Sequence, residues 1–382
     1  MDAKRLPRAF WYIFAGTLIN RLGTFIVPFL SLFLTEEAGL APVSAGLVLS
    51  SRGMGFVVAG PVGGWLTDHV GRRATMLIGL VLSAVSLLAL GLSRAFPALL
   101  LLAFAEGLSS GIPWPASSAM VADVVPAEAR PRAYGLMYWG ANMGTAFAMV
   151  LAGALAEQGF WALFVADAVT TLVFALLVWR MLPETRNADA PEEVAPGGLA
   201  ADRSFLGFAF VMFIFAVLLG QSSTVLPLRM REMGLTSSDI GVALAVNGGL
   251  IALLQLKATR LLTGFPRVGT LAVGGLLAGV GFAMHGLDAS LAAQVLAVGV
   301  WTLEEILTIP TAEWLTAEAA PPARRGAYQG AYMMAWSFAL LAGPLLGTWL
   351  LERSGDSGLW MTYLGLERRS GYSEGAGKRQ GS

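Results

Sequence analysis

The chain has 382 residues, 56% hydrophobic and 13% charged, with 25 basic and 25 acidic side chains and so no formal net charge. Soluble domains carry roughly a quarter charged residues, so one soluble core could not hide this much apolar surface, and the solvent the composition allows is a bilayer. The chain has no cysteine, which excludes disulfides and thiol chemistry; its two histidines, His69 and His285, give no histidine-built metal site, and its zero net charge gives no reason to expect nucleic acid as a partner.

A helix crossing the hydrocarbon needs about 20 apolar residues. The N-terminus has a basic start and an apolar run to Leu34, too long for a cleaved leader, and reads as the first membrane helix. Eleven such stretches follow in order: 9–34, 41–66, 74–93, 97–122, 132–157, 159–182, 204–230, 236–264, 268–287, 290–317 and 327–351. Short connections rich in Gly, Pro and charge separate them. The exception is the polar connector 183–203, which splits the chain into an N-terminal bundle (1–182) and a C-terminal bundle (204–357). With the N-terminus inside, the cytoplasmic segments hold Lys4, Arg5, Arg8, Arg72, Arg73, Arg130, Arg132, Arg180, Arg186, Arg203, Arg260, Arg267, Arg324 and Arg325. The outer loops hold only Arg94, Arg229, Arg231 and Arg353, so positive charge favours a cytoplasmic N-terminus. In the tail, 358–382, only Gly358–Leu366 is apolar, and the expectation is a twelfth helix that was started and lost.

The halves resemble each other. Pro115, Asp123 and Pro126 match Pro310, Glu318 and Pro321 at one constant offset, which also aligns residues 39–49 with 234–244. A duplicated six-helix bundle is the ground plan of many transporters, with the substrate site at the midplane between halves.

Between spans 2 and 3 lies GGWLTDHVGRRATML. Gly64, Asp68, Gly71, Arg72 and Arg73 reproduce the G-x-x-x-D-x-x-G-R-[KR] loop, and on these residues the chain resembles the major facilitator superfamily, in its drug-efflux-like branch, over about residues 9–352. The resemblance implies an all-α fold of two pseudo-symmetric six-helix bundles in a bacterial inner membrane. It also implies a conformational latch that holds the outward-open state, in which Asp68 meets the start of span 11 and Arg72 meets Asp123. Gly343-Pro344-Leu-Leu-Gly347 in span 11 resembles the family's antiporter motif, which normally sits in span 5, where this chain has Gly135 and Gly144 but Ala148-Met149 in place of Gly-Pro. Ala103 stands where the family has an arginine in span 4.

Seven ionisable residues fall inside spans: Arg21, Arg52, Glu106, Asp167, Lys257, Glu304 and Glu305. Each costs about 2.5–3.5 kcal/mol at a helix centre, so they must pair, face water or lose charge. The first half balances Arg21 and Arg52 against Glu106 and Asp167. The second sets Lys257 against both Glu304 and Glu305, leaving one carboxylate to exchange a proton. Polar residues recur at helical spacing on four spans: Asn20 and Arg21 on span 1, Glu106 and Trp114 on span 4, Gln221 on span 7, and Trp301, Glu304 and Thr308 on span 10. By resemblance these four spans line the central cavity. The expected substrate and proton pathway is therefore Asn20, Arg21, Arg52, Glu106, Trp114, Gln221, Trp301, Glu304 and Glu305.

No phosphate-binding loop is present, since Gly377-Lys378 is followed by Arg379. The reading is a secondary transporter, monomeric in the lipid bilayer and without cofactor or metal, that moves a small molecule by alternating access with a coupling proton, most simply as efflux. Metabolite or sugar uptake by symport is the rival within transport, since a cavity lined by Glu and Arg would suit a polar or zwitterionic solute. A non-transporting sensor or degenerate copy is the rival outside it, and an enzyme is disfavoured because no nucleophile–base pair falls on the cavity spans.

Overall fold

The computed structural model describes residues 6–126, 129–185, 202–262, 265–319, 328 and 331–353, and every regular element among them is helical. The helices long and apolar enough to cross a membrane are α1 (Arg8–Glu37), α2 (Pro42–His69), α3 (Arg72–Leu92), α4 (Phe96–Val124), α5 (Ala133–Ala156), α6 (Phe160–Met181), α7 (Arg203–Ser223), α8 (Ser237–Gln255), α9 (Arg267–Met284), α10 (Leu291–Glu313) and α11 (Ala331–Arg353). Each coincides with one apolar stretch of the sequence. Large apolar side chains such as Leu101, Phe147, Leu176 and Leu276 lie on the outside, as a lipid solvent requires. The expected remnant of a twelfth helix, with most of the connector and the tail, lies outside the described residues.

Gly71 turns the chain between α2 and α3 at φ +117°, a conformation that strains any residue with a Cβ. A Cβ there would also lie 2.6 Å from the Glu184 carboxylate.

Of the four helices that sequence reading assigned to the cavity, three are irregular. In α1 the α-helical ladder stops at Leu22, and residues 23–26 intervene before a 3₁₀ turn at Val27–Phe29. Pro28 has no N–H to continue the ladder, the Phe25 N–H donates to the Gly23 carbonyl at 2.7 Å, and the buried carboxyl of Asp167 on α6 lies close to the Phe25 and Ile26 backbone. Helix α4 is interrupted at Ile112, ahead of Pro113 and Pro115. In α7 the chain passes through a 3₁₀ turn at Gln221–Ser223 and a non-helical Thr224, then resumes as a helical turn at Val225–Glu232. The offset that relates Pro115 to Pro310 carries Pro28 onto Ser223, so α1 and α7 break at corresponding places. Helix α10 keeps its course through Pro310.

Small residues let the helices of the two halves approach closely. A Cβ on Gly153 of α5 would lie 2.5 Å from the Ser237 carbonyl of α8 and 3.2 Å from Cα of Gly241. Gly46 and Gly53 of α2 press on Thr348 and on the Leu340 backbone of α11. Among the described residues, the polar links between halves cluster at the end of the molecule that carries Glu36. There Arg231 meets Glu36 at 2.7 Å, the Val43 N–H donates to Glu352 at 3.0 Å, and the Ser238 N–H donates to Glu157 at 3.2 Å. The Ser238 hydroxyl and N–H hold the Glu157 carboxyl below its ordinary value. At the opposite end, which carries Arg72, Gly60, Gly64 and Gly135 have open space where a Cβ would stand, and Trp65 and Tyr134 are exposed.

Candidate functional site

Two adjoining cavities lie between the halves and share Gly220, Ser223 and Leu340. The smaller, about 90 Å³, is lined by Val27, Leu49, Arg52, Phe56 and Pro344 among others. The larger, about 240 Å³, is lined by Ser222, Ser223, Asn247, Trp301, Glu305 and Trp336.

Arg52 is bound to Glu106 through its Nε, so the charge pair expected within the first half forms between α2 and α4. The contact is close because Gly107 leaves no Cβ between α4 and the Arg52 carbonyl. Glu106 is buried, while Arg52 opens onto the smaller cavity. Asp167 lies within electrostatic reach of both. Arg21 is half-buried, with its guanidinium 5.9 Å from the Trp114 ring centroid.

On the opposite wall Glu305 accepts a hydrogen bond from Asn247 Nδ2 at 2.7 Å, and the same amide donates to Thr302 at 3.2 Å. Glu305 and Glu313 lie within electrostatic reach of Tyr138 on α5, across the gap. Lys257 is exposed and forms no part of this group.

Four expected pathway residues are directed wholly or mainly elsewhere. Glu304 is fully buried and faces α9, with its Cγ 3.7 Å from where a Cβ on Gly274 would stand. Consecutive helical residues point about 100° apart, so of the two adjacent glutamates Glu305 looks into the cavity and Glu304 into the α9–α10 seam. Thr308 and Trp301 pack on Gly274 and Gly281 of the same seam. Trp301 touches the cavity, but its ring stacks on Phe282 at 5.6 Å and its indole N–H donates to His285 Nε2 at 3.2 Å. Gln221 is fully buried and ties the break in α7 to α11. Its Nε2 donates to Val217 O at 2.8 Å and Gly343 O at 3.1 Å, and its Oε1 accepts from Thr224 at 3.1 Å. Gly343 and Gly347 of the antiporter-like motif thus receive Gln221. Asn20 donates to Thr171 on α6 at 2.9 Å, away from the gap. Breaks in a membrane helix free backbone groups that need polar partners, which gives Gln221 and Asp167 their roles.

In the loop motif, Arg72 Nε lies 3.2 Å from Asp123 Oδ2, and Arg72 Nη1 donates to Thr67 O at 3.1 Å. Asp68 stands largely exposed, 4.0 Å from Arg72, and the residues that lead into α11 lie outside the described ones. Glu184, which sequence reading missed, accepts the backbone N–H groups of Arg72 at 2.7 Å and Arg73 at 3.1 Å, satisfying the first turn of α3. Arg73 also donates to the Trp179 carbonyl. Asn247 was missed as well, although a lone amide in an apolar span is a signal; Trp336 and Ser223 carry no comparable one.

The profile of the Major Facilitator Superfamily matches residues 13–344. The chain is 27% identical to the uncharacterized MFS-type transporter YttB of Bacillus subtilis, over 94% of this chain and 93% of that protein. It is 24% identical to a Na⁺, Li⁺, K⁺/H⁺ antiporter of Planococcus maritimus, over 84% of each chain, and 24% identical to the multidrug resistance protein MdtH of Aeromonas salmonicida, over 95% and 92%. A crystal structure of a POT family transporter in complex with 5-aminolevulinic acid superposes with a TM-score of 0.83 at 14% identity, covering 97% of this chain and 96% of that one. With its profile match over most of the chain and, among the described residues, eleven helices long and apolar enough to cross a membrane, this multi-pass membrane protein belongs to the major facilitator superfamily of transporters.

Proposed function

We propose that the chain is a secondary active transporter that exports a small molecule in exchange for entering protons. It works as a monomer, with its N-terminus in the cytoplasm and residues 1–182 and 204–357 rocking against each other across the 183–203 connector. The observation that carries the reading is Glu305, a carboxylate at membrane depth on the wall of the cavity between the halves, held by Asn247. A group so placed can take a proton from one side and a cationic substrate from the other, never both together. The named antiporter among the relatives is consistent with this exchange. Exchange of one proton for one monovalent cation moves no net charge, so the pH difference drives it, and one pH unit supplies about 1.4 kcal/mol, enough for roughly a tenfold gradient.

The closed Glu36 end and the open space at the Arg72 end fit a state open to the cytoplasm. Proteoliposomes test the exchange. With a panel of labelled amines and amino acids inside the vesicles, an imposed proton gradient should drive them outward against the proton flow. Glu305→Gln should abolish that drive and keep one-for-one substrate exchange. Substrate moving with the protons would make the chain an uptake symporter, and an unimpaired drive in Glu305→Gln would remove the carboxylate from the coupling.

A further inference from the structure

Two of the links between the halves are one contact made twice. The offset that carries Pro115 onto Pro310 also carries Val43 onto Ser238 and Glu157 onto Glu352. Glu157 accepts the Ser238 N–H at 3.2 Å, and Glu352 accepts the Val43 N–H at 3.0 Å, so each half receives from the other the bond it gives. That reciprocity is the mark of a two-fold interface, where residue i meets j and j meets i. The close crossings one turn deeper obey it too: Gly153 of α5 lies on Gly241 of α8, and Gly46 of α2 on Thr348 of α11.

Both carboxylates sit at helix ends that disfavour them. Glu157 directly follows α5, and Glu352 lies in the last turn of α11. A carboxylate there meets the negative end of its own helix dipole. Both donors sit at helix starts, Ser238 in the first turn of α8 and Val43 in the first turn of α2. In α2 Pro42 has no N–H and Ala41 has no capping side chain, so the Val43 N–H is the first the helix presents, and Glu352 takes it. Each carboxylate exchanges a repulsive helix end for an attractive one only while the halves touch. Parting them here would return Glu157 and Glu352 to the ends of their own helices and leave two helix starts to water.

Contacts present in one state alone bias a two-state equilibrium. We propose that Glu157 and Glu352 are a matched pair of caps, each placed on a helix of the opposite half, that hold the Glu36 end closed and set the resting balance between the two faces of the transporter. Neither residue lines a cavity, so the pair acts on the equilibrium and not on the solute. The assignment rests on the rocking of the halves proposed above and is independent of the proton at Glu305.

Because the chain has no cysteine, one introduced thiol reports access. Ser223→Cys places it where the two cavities meet. A membrane-impermeant maleimide added to intact cells reaches the Glu36 end on the proposed topology, and added to inside-out vesicles it reaches the Arg72 end. Without further change, labelling should be slow in cells and fast in vesicles. Glu157→Gln and Glu352→Gln keep an acceptor and remove the charge. Each should speed labelling in cells roughly two- to fivefold, and together by the product, the worth of a carboxylate at a helix start. A separate reporter, Ser83→Cys, buried on α3 within the first half, should stay unreactive throughout. A double variant that labels in cells no faster than its parent overturns the caps alone, and a double variant in which Ser83→Cys also reacts overturns them as mere loosening of the fold. A Ser223→Cys parent labelled from neither side would sink the rocking of the halves, and the caps with it.

Discussion

Replacing Glu106 by glutamine keeps the shape of the side chain and removes the counter-charge of Arg52. The Glu106 side chain is 5% exposed and that of Arg52 is 19% exposed. Breaking a buried pair costs about 3–5 kcal/mol, because the remaining charge stays desolvated. Arg52 opens onto a cavity, so water screens what is left and lowers the expectation to about 2–3 kcal/mol. The opposite change, Arg52→Gln, leaves the buried Glu106 carboxylate without its counter-charge and should also destabilise the fold. Removing both partners discards the mismatch, so Arg52→Gln/Glu106→Gln should be more stable than Glu106→Gln alone, with a coupling of about 1–3 kcal/mol. Urea or heat unfolding in one detergent, followed by tryptophan fluorescence, measures all four corners of the cycle. Additive losses, or a Glu106→Gln variant as stable as the parent, would show that the pair is solvated and that the argument from membrane depth fails.

Other outcomes follow from packing and hydrogen bonding. Gly241→Val should force α5 and α8 apart, because even a Cβ there would lie 3.0 Å from Cα of Gly153; the cost expected of overpacking is about 1–3 kcal/mol, read as a lowered unfolding temperature. Gln221→Leu should cost about 1–3 kcal/mol by leaving the Gly343 carbonyl and Thr224 without their partner, while Gln221→Glu should lose the two donated bonds and fare worse. Asp202, just ahead of α7, accepts from the Phe205 N–H at 3.0 Å and Tyr328 Oη at 2.7 Å, and these bonds hold its carboxyl below the ordinary aspartate range. Its stabilisation is therefore complete above about pH 4 and lost as pH falls through the lowered folded value. Asp202→Asn should lower stability at pH 7 and flatten that acid limb, and an unchanged limb would count against the assignment.

Much of the architecture was legible in the sequence because lipid imposes length: a helix must be apolar for about 20 residues or it cannot cross. That Arg21 and Arg52 balance Glu106 and Asp167 was legible for a related reason, since charges at depth need partners, although which pairs with which was not; the Arg72–Asp123 pair was legible only through the family resemblance. What the sequence concealed was direction. The stripe Trp301, Glu304, Thr308 has a helical period, but a seam against a glycine-rich neighbour and a wall of a cavity both select one face. Only the placement of Gly274 and Gly281 identifies this stripe as the seam and gives the cavity to Glu305. Gln221 and Asn20 misled in another way. Polar residues in apolar spans signal a need for hydrogen bonds, and here the need came from a helix break and a neighbouring threonine. Glu184 was hidden because its partners are backbone N–H groups, which leave no mark in a sequence.

The ion pair between Glu36 and Arg231 has a consequence for how a doubled bundle closes. The offset that maps Pro115 onto Pro310 also maps Glu36 onto Arg231, and the two stand 2.7 Å apart. Where a pseudo-dyad passes between two such positions, each residue confronts its own counterpart, and a perfectly copied half would set acid against acid or base against base at the rim. Closure at this spot therefore depends on the two copies differing in sign, so the rim is sealed by a departure from the symmetry that shapes the rest of the molecule.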